Sequence, residues 1–268
     1  MLIQEEMIQK VKDKCKRDDT VVSAMMYGSF TKGEGDIYSD IEFYLFVNNA
    51  EYDVFDSLKW ISTLDPVDLF FVNEYGTEVV VFNNMVRGEF HFLPEEQIEI
   101  IRSFKPTGVF PDTGSMFIYD STNKLKPLLD YLGGAGPDRK TNENVNFAFN
   151  HYVNAWLMGI NVLKRGEHAR SLDVLSQVQK YTLQLMRVEG NTVERWLNGT
   201  KNLEEDLSQQ SYKDYASITA KLNHKEILRA YQHSLTLIES LYLTLRHRYK
   251  VDLNERLIKK LYDYVNNS

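Results

Sequence analysis

The sequence predicts two halves of unlike class: a strand-rich first half, α/β or α+β, and a second half that is a helical bundle. Three observations predict this. Short apolar runs broken by turn signals fill residues 21–119, the pattern of strands in a buried sheet. The stretch GGAGPDRK at 133–140 is the strongest chain punctuation present, rich in residues that stop regular structure. Beyond it apolar residues recur at helical spacing, as on helices packed against one another.

Each element follows from its local pattern. The opening MLIQEEMIQKVKDKCKRDD reads as an amphipathic helix and lacks the apolar core of a signal peptide. Strands are expected at 21–27, 40–47, 68–72, 78–82 and 86–93, with a further piece at 116–119. Together they imply a mostly buried sheet. Helical insertions fit 52–63 and the segment after Pro94, where PEEQ places a proline and two acids in a first turn. Thr141 has the hydroxyl of an N-cap, opening a helix that runs to Gly166. The helical period continues over 169–188, 212–222, 224–249 and 253–265. The domains expected are 1–132, a linker at 133–140, and a bundle at 141–268.

Bulk properties narrow the function. With 268 residues, 43% of them hydrophobic, the chain can bury one large core or two smaller ones. A formal charge of -7 argues against a protein that lives on bulk DNA or RNA. It leaves room for a small anionic ligand held by a metal or a local basic patch. No run approaches the roughly 18 apolar residues of a membrane span, so no membrane partner is expected. The lone Cys15 cannot form an internal disulfide, and a reducing cytoplasm is the expected location. No HxxxH or paired Cys/His spacing suggests zinc.

The chemistry concentrates in MMYGSFTKGEGDIYSDIEFYLF, 25–46. Residues i and i+2 of a strand share a face, so Asp40 and Glu42 aim their carboxylates together while Ile41 and Phe43 face the other way. Two like charges so placed need a cation or a shared proton. Oxygen ligands on a rigid strand suit Mg²⁺, which fills its shell with waters and substrate phosphates. Upstream, Gly28 allows close backbone approach, Ser29 offers donors and Lys32 offers charge for phosphate, while Gly33 and Gly35 keep the return compact. The Walker spacing is absent. A solvated acidic edge is the plainer account of a DxE pair alone; the Gly-Ser, the eleven-residue step from Ser29 to Asp40, and the acid-apolar-acid strand are more specific together.

The run YGSFTKGEGDIYSDIEFYLF resembles the signature of polymerase β-like nucleotidyltransferases. With NEYGTEVVVFNNMVRGEFHFL and AWLMGINVLKRGEHARSLDVLSQVQK, the resemblance extends over nearly the full chain to the two-domain lincosamide nucleotidyltransferases. It implies an α+β chain: a polymerase β-like catalytic domain with a mixed sheet, then a helical bundle. It also implies a Mg²⁺-dependent enzyme that transfers AMP from ATP to a hydroxyl of lincomycin or clindamycin, and a homodimer. Gly28, Ser29, Asp40 and Glu42 would then hold the metal–nucleotide.

Transfer to an alcohol also needs a base. VRGEFHF alternates Arg87, Glu89 and His91 with apolar neighbours. Glu89 is the candidate, matching the family's third acid, and Gly88 would leave room for substrate. His91 is the runner-up, because imidazole titrates nearer neutrality; a solvated edge strand is the plainer account. In LKRGEHARS, Lys164, Arg165 and Arg170 could face the triphosphate, Arg170 foremost, although charges at helix ends commonly serve the macrodipole. Tyr44, Tyr75, Phe90, Tyr152 and Trp156 are candidates for a drug pocket, though aromatics at helical spacing are usually core. An aminoglycoside acceptor is the alternative, but Glu74, Glu78 and Glu89 are few acids for a polycation. A non-catalytic antitoxin-like module would have no need of the third acid.

Overall fold

The computed structural model describes residues 1–266, and the chain divides into two compact units, Met1–Pro137 and Asp138–Ser268. The first unit is mixed α+β. It runs α1 (Ile3–Cys15), β1 (Val21–Tyr27), β2 (Ile41–Val47), α2 (Ser57–Ile61), β3 (Val67–Val72), β4 (Glu78–Phe82), β5 (Arg87–Pro94), β6 (Phe117–Asp120) and α3 (Leu125–Leu132). The strands form one sheet in the order β3-β4-β5-β2-β1-β6. Only β2 and β5 pair in parallel, and all other neighbours are antiparallel. The sheet is therefore mixed.

Alternation along the strands builds two faces. One buries Ile41, Phe43 and Leu45 of β2 against Phe90 and Phe92 of β5, together with Met7, Val11 and Cys15 of α1. Those three α1 residues recur every four positions, one helical stripe. Gly88 belongs to this apolar face: a Cβ there would sit 2.7 Å from the Phe90 ring and 3.0 Å from Val80. The opening at Gly88 is thus filled by Phe90 and leaves no room for substrate. Along the other face Met25 and Phe46 pack under α3 and a 3-10 segment, Glu95–Phe104. Glu42, Glu89 and Arg87 lie beyond that cover, at one end of the same face.

Several local expectations change. Residues 52–63 are not one helix but a 3-10 turn, Tyr52–Val54, and the short α2, capped by Asp56, whose side chain accepts from the Lys59 amide. The sheet is less buried than expected, because β3 is an edge strand with Leu69 and Phe71 exposed. β5 lies between β4 and β2, so its charged residues are not an edge feature.

The second unit is helical: α4 (Asn142–Lys164), α5 (His168–Glu189), α6 (Leu203–Asp206), α7 (Gln209–Ser217), α8 (His224–Leu245) and α9 (Glu255–Asn266). Thr141 caps α4, its hydroxyl accepting from the Asn144 amide at 3.1 Å. Tyr152 and Trp156 are fully buried in its core. Tyr152 Oη lies 2.9 Å from Ser234 Oγ, and Trp156 Nε1 donates to the Tyr231 carbonyl at 3.0 Å. Phe90, Tyr152 and Trp156 therefore serve packing, not a drug pocket. The Arg187 guanidinium is buried and donates to the carbonyls of Thr192, Gly199 and Lys201 and to Asp206, tying down the connection to α6. Among the described residues no helix is long and apolar enough to cross a membrane.

Candidate active site

The parallel pairing of β2 with β5 places Glu42 directly beside Glu89, and Tyr44 beside His91. Antiparallel pairing on the other side of β2 sets Tyr27 opposite Glu42. Three strands thus contribute to one polar patch, with Asp40 just ahead of β2. Asp40 stands outside the strand by one residue, where its side chain reaches across to β5.

The cation between the acids is Arg87. Its Nη1 donates to Asp40 Oδ2 at 2.5 Å, and its Nη2 donates to Glu89 Oε1. Burial works against the guanidinium's charge, but Glu89 and Asp40 outweigh it and hold its pKa above the ordinary value. On the far side the Tyr27 hydroxyl lies 3.4 Å from Glu89 Oε2 and 3.0 Å from His91 Nε2. Thr77 Oγ1 lies 3.4 Å from His91 Nδ1. One assignment serves all three: Thr77 donates to Nδ1, the Nε2–H donates to Tyr27, and Tyr27 donates to Glu89. It requires neutral imidazole. Burial lowers the His91 pKa against the opposing pull of Glu89, and the ring stacks on Tyr44 with centroids 4.1 Å apart. Burial, then Glu42 and Glu89, push the Tyr27 hydroxyl far above its ordinary value, so it stays a donor.

Gly28 completes the patch. It has φ +85°, and a Cβ there would fall 1.6 Å from Glu42 Oε2. The Glu42 carboxylate therefore lies against the turn that starts the 3-10 segment Ser29–Lys32. Thr31 closes that turn by donating to the Gly28 carbonyl at 2.8 Å. Ser29 Oγ is buried with no hydrogen-bond partner, an unmet polar group of the kind a ligand oxygen satisfies. Lys32 is exposed on the same turn. These features suit Mg²⁺ and a polyphosphate: hard carboxylate oxygens, a backbone cradle no side chain could share, and an unused hydroxyl. Among the described residues no three His, Cys, Asp or Glu side chains are grouped to hold a metal by themselves. Oxygens from a bound phosphate would complete the shell of a metal on Asp40 and Glu42.

The remaining sequence candidates fall elsewhere. Arg170 belongs to the second unit, where it is exposed and pairs with Glu167 at 3.2 Å. Lys164 is committed to the C-terminal helix, donating to the Tyr264 carbonyl at 2.9 Å and lying over its ring. Tyr75 is exposed in the β3–β4 turn. Tyr27, Thr77 and the bridging role of Arg87 escaped the sequence reading. The signal was present only in part: Tyr27 directly precedes the Gly-Ser, but its neighbours depend on strand order.

Residues 141–264 match the family model described as lincosamide nucleotidyltransferase-like, C-terminal domain. The second half of the chain is thus similar to that C-terminal domain. No curated protein matches the sequence. Among solved structures, an aminoglycoside 6-adenyltransferase from Bacillus subtilis is 13% identical, covering 98% of this chain and 96% of its own, with a TM-score of 0.46. A nucleotidyltransferase-like protein from Exiguobacterium sibiricum is 12% identical, covering 92% of this chain and 81% of its own, with a TM-score of 0.38. The matched stretch includes α4 and its core partners α5 and α8; the polar patch of β1, β2 and β5 lies in the first unit.

Proposed function

We propose that this protein is a Mg²⁺-dependent O-nucleotidyltransferase that moves AMP from ATP to a hydroxyl of a lincosamide such as lincomycin or clindamycin. The observation that carries the proposal is Glu42 lying against the Gly28 turn and beside Glu89, with Asp40 joined to Glu89 through Arg87. The similarity of the second half to the lincosamide nucleotidyltransferase-like C-terminal domain supports the choice of acceptor.

Asp40 and Glu42 would hold Mg²⁺, which when bound offsets the charge that builds on the phosphate oxygens. Gly28 brings the turn backbone close to the triphosphate, and the unpartnered Ser29 hydroxyl donates to a phosphate oxygen. Lys32 supplies positive charge to the phosphates. Glu89 takes the proton of the acceptor hydroxyl as its oxygen bonds to the α-phosphorus and pyrophosphate leaves. Tyr27, oriented by His91, steadies the carboxylate from its other oxygen. A positioned general base of this kind contributes about 10²–10⁴-fold.

The test is a panel read by mass: purified protein, Mg²⁺ and each nucleoside triphosphate, with lincomycin, clindamycin and kanamycin as acceptors. The expected product is lincomycin or clindamycin heavier by one adenylate, formed with ATP. An adduct on kanamycin alone would move the acceptor to the aminoglycosides, and no adduct on any acceptor would remove the proposal.

A further inference from the structure

The acids of this patch are already answered by a cation of the chain itself. Arg87 bridges Asp40, ahead of β2, and Glu89 on β5. It uses Oδ2 of one and Oε1 of the other. A metal on Asp40 would meet a guanidinium on the same carboxylate, two positive charges at close range. We propose that Arg87 is a displaceable counter-cation, which competes with the divalent metal for Asp40 and passes to the triphosphate when metal and nucleotide arrive. The inference rests on the transferase reading for its choice of ligand.

Three features favour movement. Arg87 opens its strand, and its side chain is 44% exposed, so the guanidinium can turn without opening the core. Arg187, by contrast, is 1% exposed and held by three carbonyls and a carboxylate; it has no such freedom. The planar fork of a guanidinium matches phosphate oxygens as well as carboxylate oxygens, so the released group has a partner in the arriving nucleotide. Asp40 then has both oxygens for the metal, while Glu89 keeps Tyr27 and has Oε1 free to accept the proton.

The consequence is weak binding of bare metal and an Arg87 contribution to nucleotide binding. Electron paramagnetic resonance of free Mn²⁺, without nucleotide, measures the first. R87M is expected to bind Mn²⁺ about tenfold more tightly than the wild type, whereas R87K, which keeps the charge, stays near the wild type. Calorimetry with Mg²⁺ and α,β-methylene ATP, which cannot transfer its adenylate, measures the second. R87M is expected to bind that complex about tenfold more weakly. Circular dichroism melting establishes that each variant is folded, and R87Q, which also removes the charge, takes the place of R87M in both measurements if R87M is not.

Equal Mn²⁺ affinity in wild type and R87M overturns the competition, as does R87K binding as tightly as R87M. Unchanged affinity for the methylene analogue in R87M overturns the transfer to phosphate. The two proposals fail separately. A wild type that forms no adduct, with R87M still gaining Mn²⁺ affinity, removes the transferase reading and leaves the competition standing. Adduct formation with equal Mn²⁺ affinities does the reverse.

Discussion

Replacing Gly28 by alanine tests whether the glycine turn and the Glu42 carboxylate are built as one device. Gly28 has φ 85° and ψ -156°, a region open essentially to glycine, and forcing another residue there costs about 1–3 kcal/mol. For a unit of this size that is a fall in Tm of roughly 3–12 °C. The added Cβ would also fall 1.6 Å from Glu42 Oε2. That oxygen ends a flexible side chain, so the carboxylate swings away at little cost in stability but leaves the metal position. Gly33 is the control. Its φ is 70°, and a Cβ there would meet nothing within 4 Å, so Gly33→Ala carries a left-handed strain of about 1–2 kcal/mol and nothing more. Both variants should melt lower by similar amounts in calorimetry. In the mass assay Gly28→Ala should lose about 10²-fold in rate, as for loss of a metal ligand, while Gly33→Ala stays within about twofold. Equal rates for the two variants would refute the assignment of Glu42 to the reacting centre.

Three further outcomes are expected. Asp40→Asn and Glu42→Gln should each lower the transfer rate by at least about 10²-fold with the circular dichroism spectrum unchanged; a rate near wild type with intact Mg²⁺ dependence contradicts the metal role. Glu89→Gln should leave both substrates binding while kcat falls by about 10²–10⁴ and the acidic limb of the pH–rate profile disappears. Retained kcat would pass the role of base to His91. Burial raises the Cys15 thiol from its ordinary 9.0 to about 12, so the folded protein should resist a thiol reagent at mildly alkaline pH and react only when denatured. The sign follows: the stability from keeping this thiol neutral is complete below 9.0 and is lost as the pH climbs toward about 12. Rapid labelling of the native protein would show that α1 does not seal the thiol.

Local chemistry alone made much of this molecule legible. Short apolar runs bounded by turn signals gave β1 and β4 to the residue, because such a run with its breakers is written in its own side chains. Thr141 was legible as a cap because a hydroxyl ahead of a helical period has one common use. Asp40, Glu42 and Glu89 stood out because acids among apolar strand residues need an explanation that their neighbours in sequence do not supply.

What remained hidden depends on which strands are neighbours. The sequence reading placed a metal between Asp40 and Glu42 and did not foresee that Arg87, 47 residues away in sequence from Asp40, joins Asp40 to Glu89. Nothing in either segment states that β5 lies parallel to β2. Gly88 was misread for the same reason: a glycine beside a charged residue suggests open space, but pleating turns it to the face where Phe90 and Val80 fill that space. The sequence by itself determined the two structural classes and most strand and helix positions, and it singled out the three acids as candidates, since those follow from periodicity and from side-chain chemistry. Only the tertiary structure decided which cation faces the acids, that Tyr27 and His91 stand behind Glu89, and that Tyr152 and Trp156 are core. Those facts depend on strand order and helix packing, which bring together residues that carry no mark of one another in the chain.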